Sequence, residues 1–434
     1  MTALSPEKIT AQSPAKRDFF TDISICLEPY KYFSDMLDIG PVVQMESPDA
    51  LMVTGYEECI EVLRNHKDFS SYNSSVGAGF PLPFVPEGSD ISEQMDAHKS
   101  EMPHGELLVN QDGMRHSELR SLMNPLFTPS RLKANEAFIK EYAAEMVKDA
   151  VKKGHADMVN EIATPFVTMV VADLLGVPEE DRAKFRAVID AAPRPGSMTQ
   201  DSNTEEFTGP LEYMARFFAE YIIDRRSNPR DDVLTRLATT TYPDGKLPEL
   251  QDLVTLAGTI FGAGQDTSAK LLSTSMRFLV ENQELQSQLR SDPSLIPDFI
   301  EEVLRLEGPT KATFRLARRD SKIGDVEVPA GKRIVVALAA GNRDPRRWEN
   351  PDDFQMGRNR AKEHLSFSRG AHACAGAPLA RAEIRMVLEE FLAQTSAIEF
   401  SEEHHGTAEN RHMEYDPSYF IRGLSALHVK FTPA

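Results

Sequence analysis

A mainly α-helical fold with small β-sheets follows from three features of the 434-residue chain: long stretches of apolar residues at helical spacing, few and short strand-like runs, and no linker. Helical spacing runs through residues 134–152, 210–226, 253–279 and 299–306, and through 377–388 after a glycine-framed turn; 57–65 forms a shorter helix-like segment. The strand-like runs are 51–55, 334–338 and 426–431, each rich in β-branched or aliphatic residues. No Gly/Ser- or Pro-rich segment divides the chain and no internal repeat is evident, so one large domain over residues 1–434 is expected, with residues 1–15 unordered.

Composition narrows the function before any motif is read. A formal net charge of -19 disfavours a polyanionic partner, so nucleic-acid binding is not expected. The best apolar run, 166–177, is too short to cross a bilayer and contains Asp173, and residues near the start lack a signal-peptide pattern. The expectation is a cytoplasmic protein without a membrane partner. Cys26, Cys59 and Cys374 have neither a disulfide framework nor iron–sulfur spacing.

The most informative segment is residues 367–376, Phe-Ser-Arg-Gly-Ala-His-Ala-Cys-Ala-Gly. It sets Cys374 just ahead of a helical segment, where unpaired N–H groups and the positive dipole end favour a thiolate. Gly370 and Gly376 allow a tight turn against a flat ligand, and Pro378 is tolerated in a first helical turn. A lone cysteine is ordinarily a small buried hydrophobe, and a nucleophilic one needs a base and an orienting group that this context does not supply. The segment, however, fits Phe-x-x-Gly-x-His/Arg-x-Cys-x-Gly and continues through Leu379, Ala380 and Arg381, so it resembles the haem-binding signature of the cytochrome P450 family. The resemblance spans roughly residues 105–430. It implies a single large domain holding haem b between a long central helix and the cysteine loop. Cys374 would be the metal ligand, with Phe367, Gly370 and Gly376 shaping its loop. Ser368 departs from the Gly usual at that position.

Within 253–279, the run Gly262-Ala263-Gly264-Gln265-Asp266-Thr267 interrupts an otherwise strong helix. Gly264 costs about 1 kcal/mol relative to alanine, and a threonine hydroxyl can divert a backbone carbonyl, so a local opening of the helix is expected here. The run resembles the family's Ala/Gly-Gly-x-Asp/Glu-Thr motif. That likeness implies that Ala263 and Gly264 lie over the haem, that Thr267 hydrogen-bonds the dioxygen being activated, and that Asp266 relays protons from solvent. Peroxide-driven relatives usually carry Arg-Pro at this place. A peroxygenase, like a non-catalytic haem sensor, therefore remains the alternative to a monooxygenase.

Further likenesses assign His116, Arg120, Arg315 and His372 to the haem propionates, whose burial requires cations. Glu302 and Arg305, three apart on one helix face, resemble the family's buried Glu-x-x-Arg pair, with Arg343 or Arg346 as its third member. Phe80, Phe84, Thr259, Ala263, Thr310, Ala312, Thr313, Tyr419, Phe420 and Ile421 occupy positions that surround the substrate in relatives. They suggest a hydrophobic small molecule such as a terpenoid, steroid or aromatic. The segment 71–104 reads as a mobile connection over the substrate, and 191–208, with Pro193, Pro195 and Gly196, as a lid hinge. No flavin or Rossmann pattern is present, so electrons are expected from a ferredoxin or flavodoxin with an NAD(P)H-dependent reductase. Arg115, Arg131, Lys133, Arg360, Lys362 and Arg369 form the candidate docking patch for that partner.

Overall fold

The structure is a computed structural model that describes residues 13–190 and 204–434, without side chains at 189–190 and 204–212. Helices dominate, as the periodicity predicts: α1 (Tyr56–Arg64), α2 (Gly113–Met123), α3 (Pro129–Lys153), α4 (Thr164–Leu175), α5 (Thr204–Ser227), α6 (Leu250–Glu281), α7 (Ile296–Glu307) and α8 (Ala377–Gln394). Strands are short: β1 (Val42–Met45), β2 (Ala50–Val53), β3 (Phe69–Ser70), β4 (His155–Asp157), β5 (Thr313–Ala317), β6 (Arg333–Val336), β7 (Thr395–Phe400) and β8 (His428–Pro433). One sheet runs β1–β2–β6–β5–β3, with the β2/β6 pair parallel and the others antiparallel; a second, antiparallel sheet runs β4–β8–β7.

The main apolar core is built where α6 passes between its neighbours. Leu253, Ala257, Leu272, Met276 and Leu279 of α6 are fully buried in one cluster with Val167, Val170 and Leu174 of α4 and Val387, Leu388 and Phe391 of α8. A helix with glycines in its interior is stable here because packing, rather than propensity, holds it. For the same reason α6 runs unbroken through 262–267, contrary to the expected opening. The Thr267 hydroxyl does reach back, donating to Ala263 O at 2.7 Å, but the helix absorbs this bond without a break.

Two other expectations change, and a third falls largely outside the described residues. Residues 1–12 lie outside the described residues, while Pro14–Lys16 form a short 3₁₀ turn rather than unordered chain. The connection 71–104 holds a helix (Ser92–Ala97) and its own small core, with Tyr72, Ile91, Met95 and Met102 packed on Leu316 of β5. The lid call at 191–208 falls on residues outside the description up to 203, and 204–208 begin α5. The stretch Met158–Leu175 is long and apolar enough to cross a membrane, but 72% of it is buried inside the protein as core.

Candidate active site

Cys374 is placed by three local devices. Its N–H donates to Phe367 O at 2.9 Å, closing the loop on itself. Gly370 takes φ +73°, and a Cβ there would collide with Leu63 O of α1, so no other residue lets the loop seat against that helix. Gly376, by contrast, has ordinary right-handed geometry (φ -78°), so its conformation does not require glycine, as the sequence had suggested. Ser368 adopts φ +58° with its hydroxyl buried and without a hydrogen-bond partner among the described residues. The usual glycine would take that backbone without strain.

Phe367 anchors the loop from the other side. Arg381 lies 4.6 Å over its ring and pairs with Glu301 of α7, whose carboxylate sits 3.2 Å from His364. Burial would raise the Glu301 pKa, but the His364 and Arg381 contacts outweigh it and bring it down to about 2. The Cys374 sulfur is open at its own surface, yet protein crowds around it and desolvation pushes the thiol up. The N–H groups of Gly376 and Ala377 at the start of α8, and the Arg120 charge, oppose that shift.

Around the cysteine lie His116, Arg120, Arg315 and His372. The His116 and His372 rings are 4.2 Å apart, and Arg120 donates to Ala373 O at 2.6 Å, next to the cysteine. Arg315, buried on β5, donates to Phe314 O (2.6 Å) and Ser74 Oγ (3.1 Å), and its charge is felt at His372. Nε2 of His116 and Nε2 of His372 are buried without a hydrogen-bond partner among the described residues; the latter lies 3.7 Å from Asp112. Burial drives His116 down to about 4 and Arg315 down to about 10, and lowers Arg120 and His372 as well. Asp112 supplies one carboxylate, held at about 2 despite burial by contacts from His372, Ser70 and Ser71 and the Arg318 charge. Two arginines and two imidazoles, the imidazoles with unpartnered Nε2 atoms among the described residues, therefore cluster near a single carboxylate, that of Asp112. This donor set suits a ligand bearing two further carboxylates, as haem does.

The α6 segment changes character in its middle. Leu253–Phe261 and Ser268–Val280 are mostly buried, whereas Gly262 and Ala263 are exposed and Gly264 to Thr267 are partly so. An added Cβ at Gly262 would meet nothing within 4 Å. Within the core span 253–280 of α6, solvent access is concentrated at 262–267. Asp266 stands in that stretch with Oδ2 buried and unpartnered among the described residues, and Oδ1 3.1 Å from Lys270 Nζ.

Glu383 is a residue the sequence reading missed. It lies on α8, 1% exposed, and neither carboxylate oxygen has a hydrogen-bond partner among the described residues. Burial raises its pKa from an ordinary 4.5 up to about 7, with Ser268 on α6 opposing only in part. The folded chain thus keeps a proton that the unfolded chain releases between pH 4.5 and 7. Stability is greatest below that window and falls as pH rises through it, by at most about 1.4 kcal/mol per pH unit. Glu383→Gln is expected to flatten this slope, measured by urea denaturation between pH 5 and 8.

The Glu302–Arg305 pair is buried as expected, but neither Arg343 nor Arg346 completes it. Arg358 does, donating from Nε to Glu302 Oε1 at 2.8 Å. Arg343 pairs with Asp352, and Arg346 with Glu58 and Asp344. The pocket positions fall into separate places. Thr259 and Ala263 are on α6. Ala312, Tyr419 and Phe420 belong to an apolar cluster with the N-terminal helices, and Ile421 bridges Thr310, while Thr313 accepts from Arg315. Ala312 and Ile421 are buried, at 0% and 3% exposure. Phe80 is exposed, and Phe84 packs against His98 and Tyr72. Of the basic patch, Arg115 is held by Asp252 and Arg131 by Asp173, and Arg360 pairs with Glu363, while Lys133 and Lys362 are exposed.

A family model described as Cytochrome P450 matches residues 84–405. Cytochrome P450(BM-1) of Priestia megaterium is 31% identical over 374 residues, covering 86% of this chain and 88% of the relative. The solved structure of Mycobacterium marinum cytochrome P450 CYP150A6 in the substrate-free form matches with a TM-score of 0.91 at 43% identity, covering 97% of this chain and 100% of that one. CYP109E1 from Bacillus megaterium in complex with corticosterone matches with a TM-score of 0.79 at 26% identity, covering 94% and 99%. With the cysteine loop, the histidine and arginine set and the accessible stretch of α6 already described, these similarities settle the family: the chain is a member of the cytochrome P450 monooxygenases and binds haem b.

Proposed function

We propose that Cys374 is the thiolate ligand of the haem, that Asp266 and Thr267 deliver protons during oxygen activation, and that the substrate is a hydrophobic small molecule of the steroid or terpenoid class. The observation that carries this reading is the solvent access of the unbroken helix α6 at 262–267, between stretches that are mostly buried, with an aspartate and a threonine at the end of that accessible stretch. The haem, when bound, supplies dioxygen reduction and oxygen-atom transfer to a C–H or C=C bond. The second oxygen leaves as water, which consumes two electrons and two protons. The protein's task is to bring those protons into an apolar cavity one at a time.

Thr267 Oγ1 donates its hydrogen to Ala263 O, which leaves its lone pairs to accept from a water or a protonated group. Asp266 Oδ2, buried and bare in the accessible stretch of α6, is the atom to take a proton from outside and hand it on. His116, Arg120, Arg315 and His372 would hold the propionates. The partly exposed rings of Tyr419 and Phe420, at the margin of an apolar cluster, favour a substrate without charge, in keeping with the corticosterone complex of CYP109E1. Electrons would come from a ferredoxin or flavodoxin and its NAD(P)H-dependent reductase.

Turnover driven by NADH through a ferredoxin system, with substrates found by spectral titration of steroids, terpenoids and aromatics, tests the reading. Oxidation supported only by added peroxide would overturn it in favour of a peroxygenase. The Thr267→Ala variant is expected to lose about tenfold in product per NADH, the missing electrons appearing as peroxide; coupled turnover in that variant contradicts the role of Thr267. Charge reversal at Lys133 and Arg369 is expected to raise the KM for ferredoxin about threefold or more at low salt and to leave substrate affinity unchanged. A KM unaltered across ionic strengths removes these residues from the docking surface.

A further inference from the structure

We infer that Lys270 is a positioning residue for proton delivery, and that it ties the delivering acid to the C-terminal turn carrying Tyr419, Phe420 and Ile421. This rests on the reading of Asp266 as the proton relay. Lys270 follows Asp266 by one turn of α6 and is 5% exposed. Its ammonium lies 3.1 Å from Asp266 Oδ1 and donates to Asp416 Oδ2 at 2.7 Å. One buried cation therefore serves two carboxylates. It holds a single oxygen of Asp266 and leaves the other, Oδ2, buried and bare. A carboxylate free to spin would present either oxygen at random; this one is pinned by Oδ1, so Oδ2 is the oxygen left free.

The far end of the bridge is equally fixed. Asp416 N donates to Gly423 O at 3.0 Å, Ser425 Oγ donates to Asp416 Oδ1 at 3.0 Å, and Tyr415 bridges Leu424 across the turn. Gly423 packs on the lysine stem, where an added Cβ would collide with its Cγ and Cδ. The turn is thus shaped around Lys270. Between Asp416 and Gly423 it carries Phe420 and Ile421, the first accepting from Lys311 N at 3.1 Å and the second bridging Thr310. A substrate that shifts these residues also shifts Asp416, and through Lys270 it resets Asp266. Substrate contact and proton supply would be linked by one side chain.

The test uses full-length holoenzyme reduced by NADH through saturating ferredoxin and reductase, without organic substrate. Dioxygen then takes two electrons and two protons to form peroxide, or four of each to form two waters, so the solvent isotope effect on dioxygen consumption reads proton delivery. K270M is expected to slow consumption about tenfold and to raise the isotope effect about twofold, with K270R returning both toward the parent values. D416N should move both in the same direction by less. A shift in melting temperature with an unchanged isotope effect overturns the inference, since a purely structural lysine gives that result. D266N separates the two readings. If it alters the isotope effect and K270M does not, Lys270 loses its role while Asp266 keeps its own; if D266N alters nothing, the relay reading fails and the inference with it. Should K270M not accumulate as folded holoenzyme, D416N decides: a raised isotope effect supports the bridge, an unchanged one overturns it.

Discussion

The Cys374→Ser variant is expected to lose the strongly red-shifted Soret absorbance of the reduced carbon-monoxide complex, and with it monooxygenase activity by at least about 10³-fold, equivalent to about 4 kcal/mol. A thiolate pushes electron density onto iron and favours O–O cleavage; a serine hydroxyl at the same place remains protonated and does not. The loop itself should survive, because its closure depends on the backbone of residue 374 donating to Phe367 O and on Gly370 against Leu63, neither of which needs sulfur. Haem content and spectrum can therefore be measured on folded protein. A variant that kept the shifted band would show that some other atom ligates the iron.

The second large effect is on stability. Glu302 and Arg305 are 0% exposed, and Arg358 is nearly so. Glu302 Oε1 accepts from Arg305 Nη2 (2.8 Å), Arg358 Nε (2.8 Å) and Gln355 N (3.0 Å), and Oε2 accepts from Arg305 Nε (2.9 Å). The guanidiniums spend their remaining donors on the carbonyls of Asn342, Pro351 and Asp353. Each of these charged groups is thus fully hydrogen-bonded, so the cost appears on removing one partner. Glu302→Ala strands two buried cations and is expected to cost about 3–5 kcal/mol in denaturation, with a parallel fall in haem retention, because this network anchors residues 342–358 just ahead of the cysteine loop. Arg358→Ala should cost a comparable amount. Arg346→Ala, which removes a half-exposed partner of Glu58 and Asp344, should cost only about 1 kcal/mol or less. Equal losses in the two arginine variants would contradict Arg358 as the third member.

The helices and the cysteine loop were legible because their signals are local. Apolar spacing bounds α6, α7 and α8 within a few residues, and the decapeptide around Cys374 states its turn, its ligand and its following helix in one continuous run. Burial and partner choice are not local. Among several arginines within a short stretch, the chain alone gave no reason to favour Arg358, which wins because its guanidinium, unlike that of Arg346, is desolvated beside Glu302. The continuity of α6 through its glycines was likewise decided by flanking turns locked in the core, which outweigh a propensity cost of about 1 kcal/mol.

The linear sequence by itself therefore determined the fold type, the family and the turn that sets Cys374 ahead of α8, since each is written in residues close enough to act on one another directly. Tertiary structure alone decided that Glu383 keeps a proton, that Arg358 completes the buried network, and that Lys270 joins Asp266 to Asp416 across 150 residues of chain. The physical reason is common to all three: the energy of a charged group is set by the water it loses and the partner it meets, and both are fixed only when distant segments close over it.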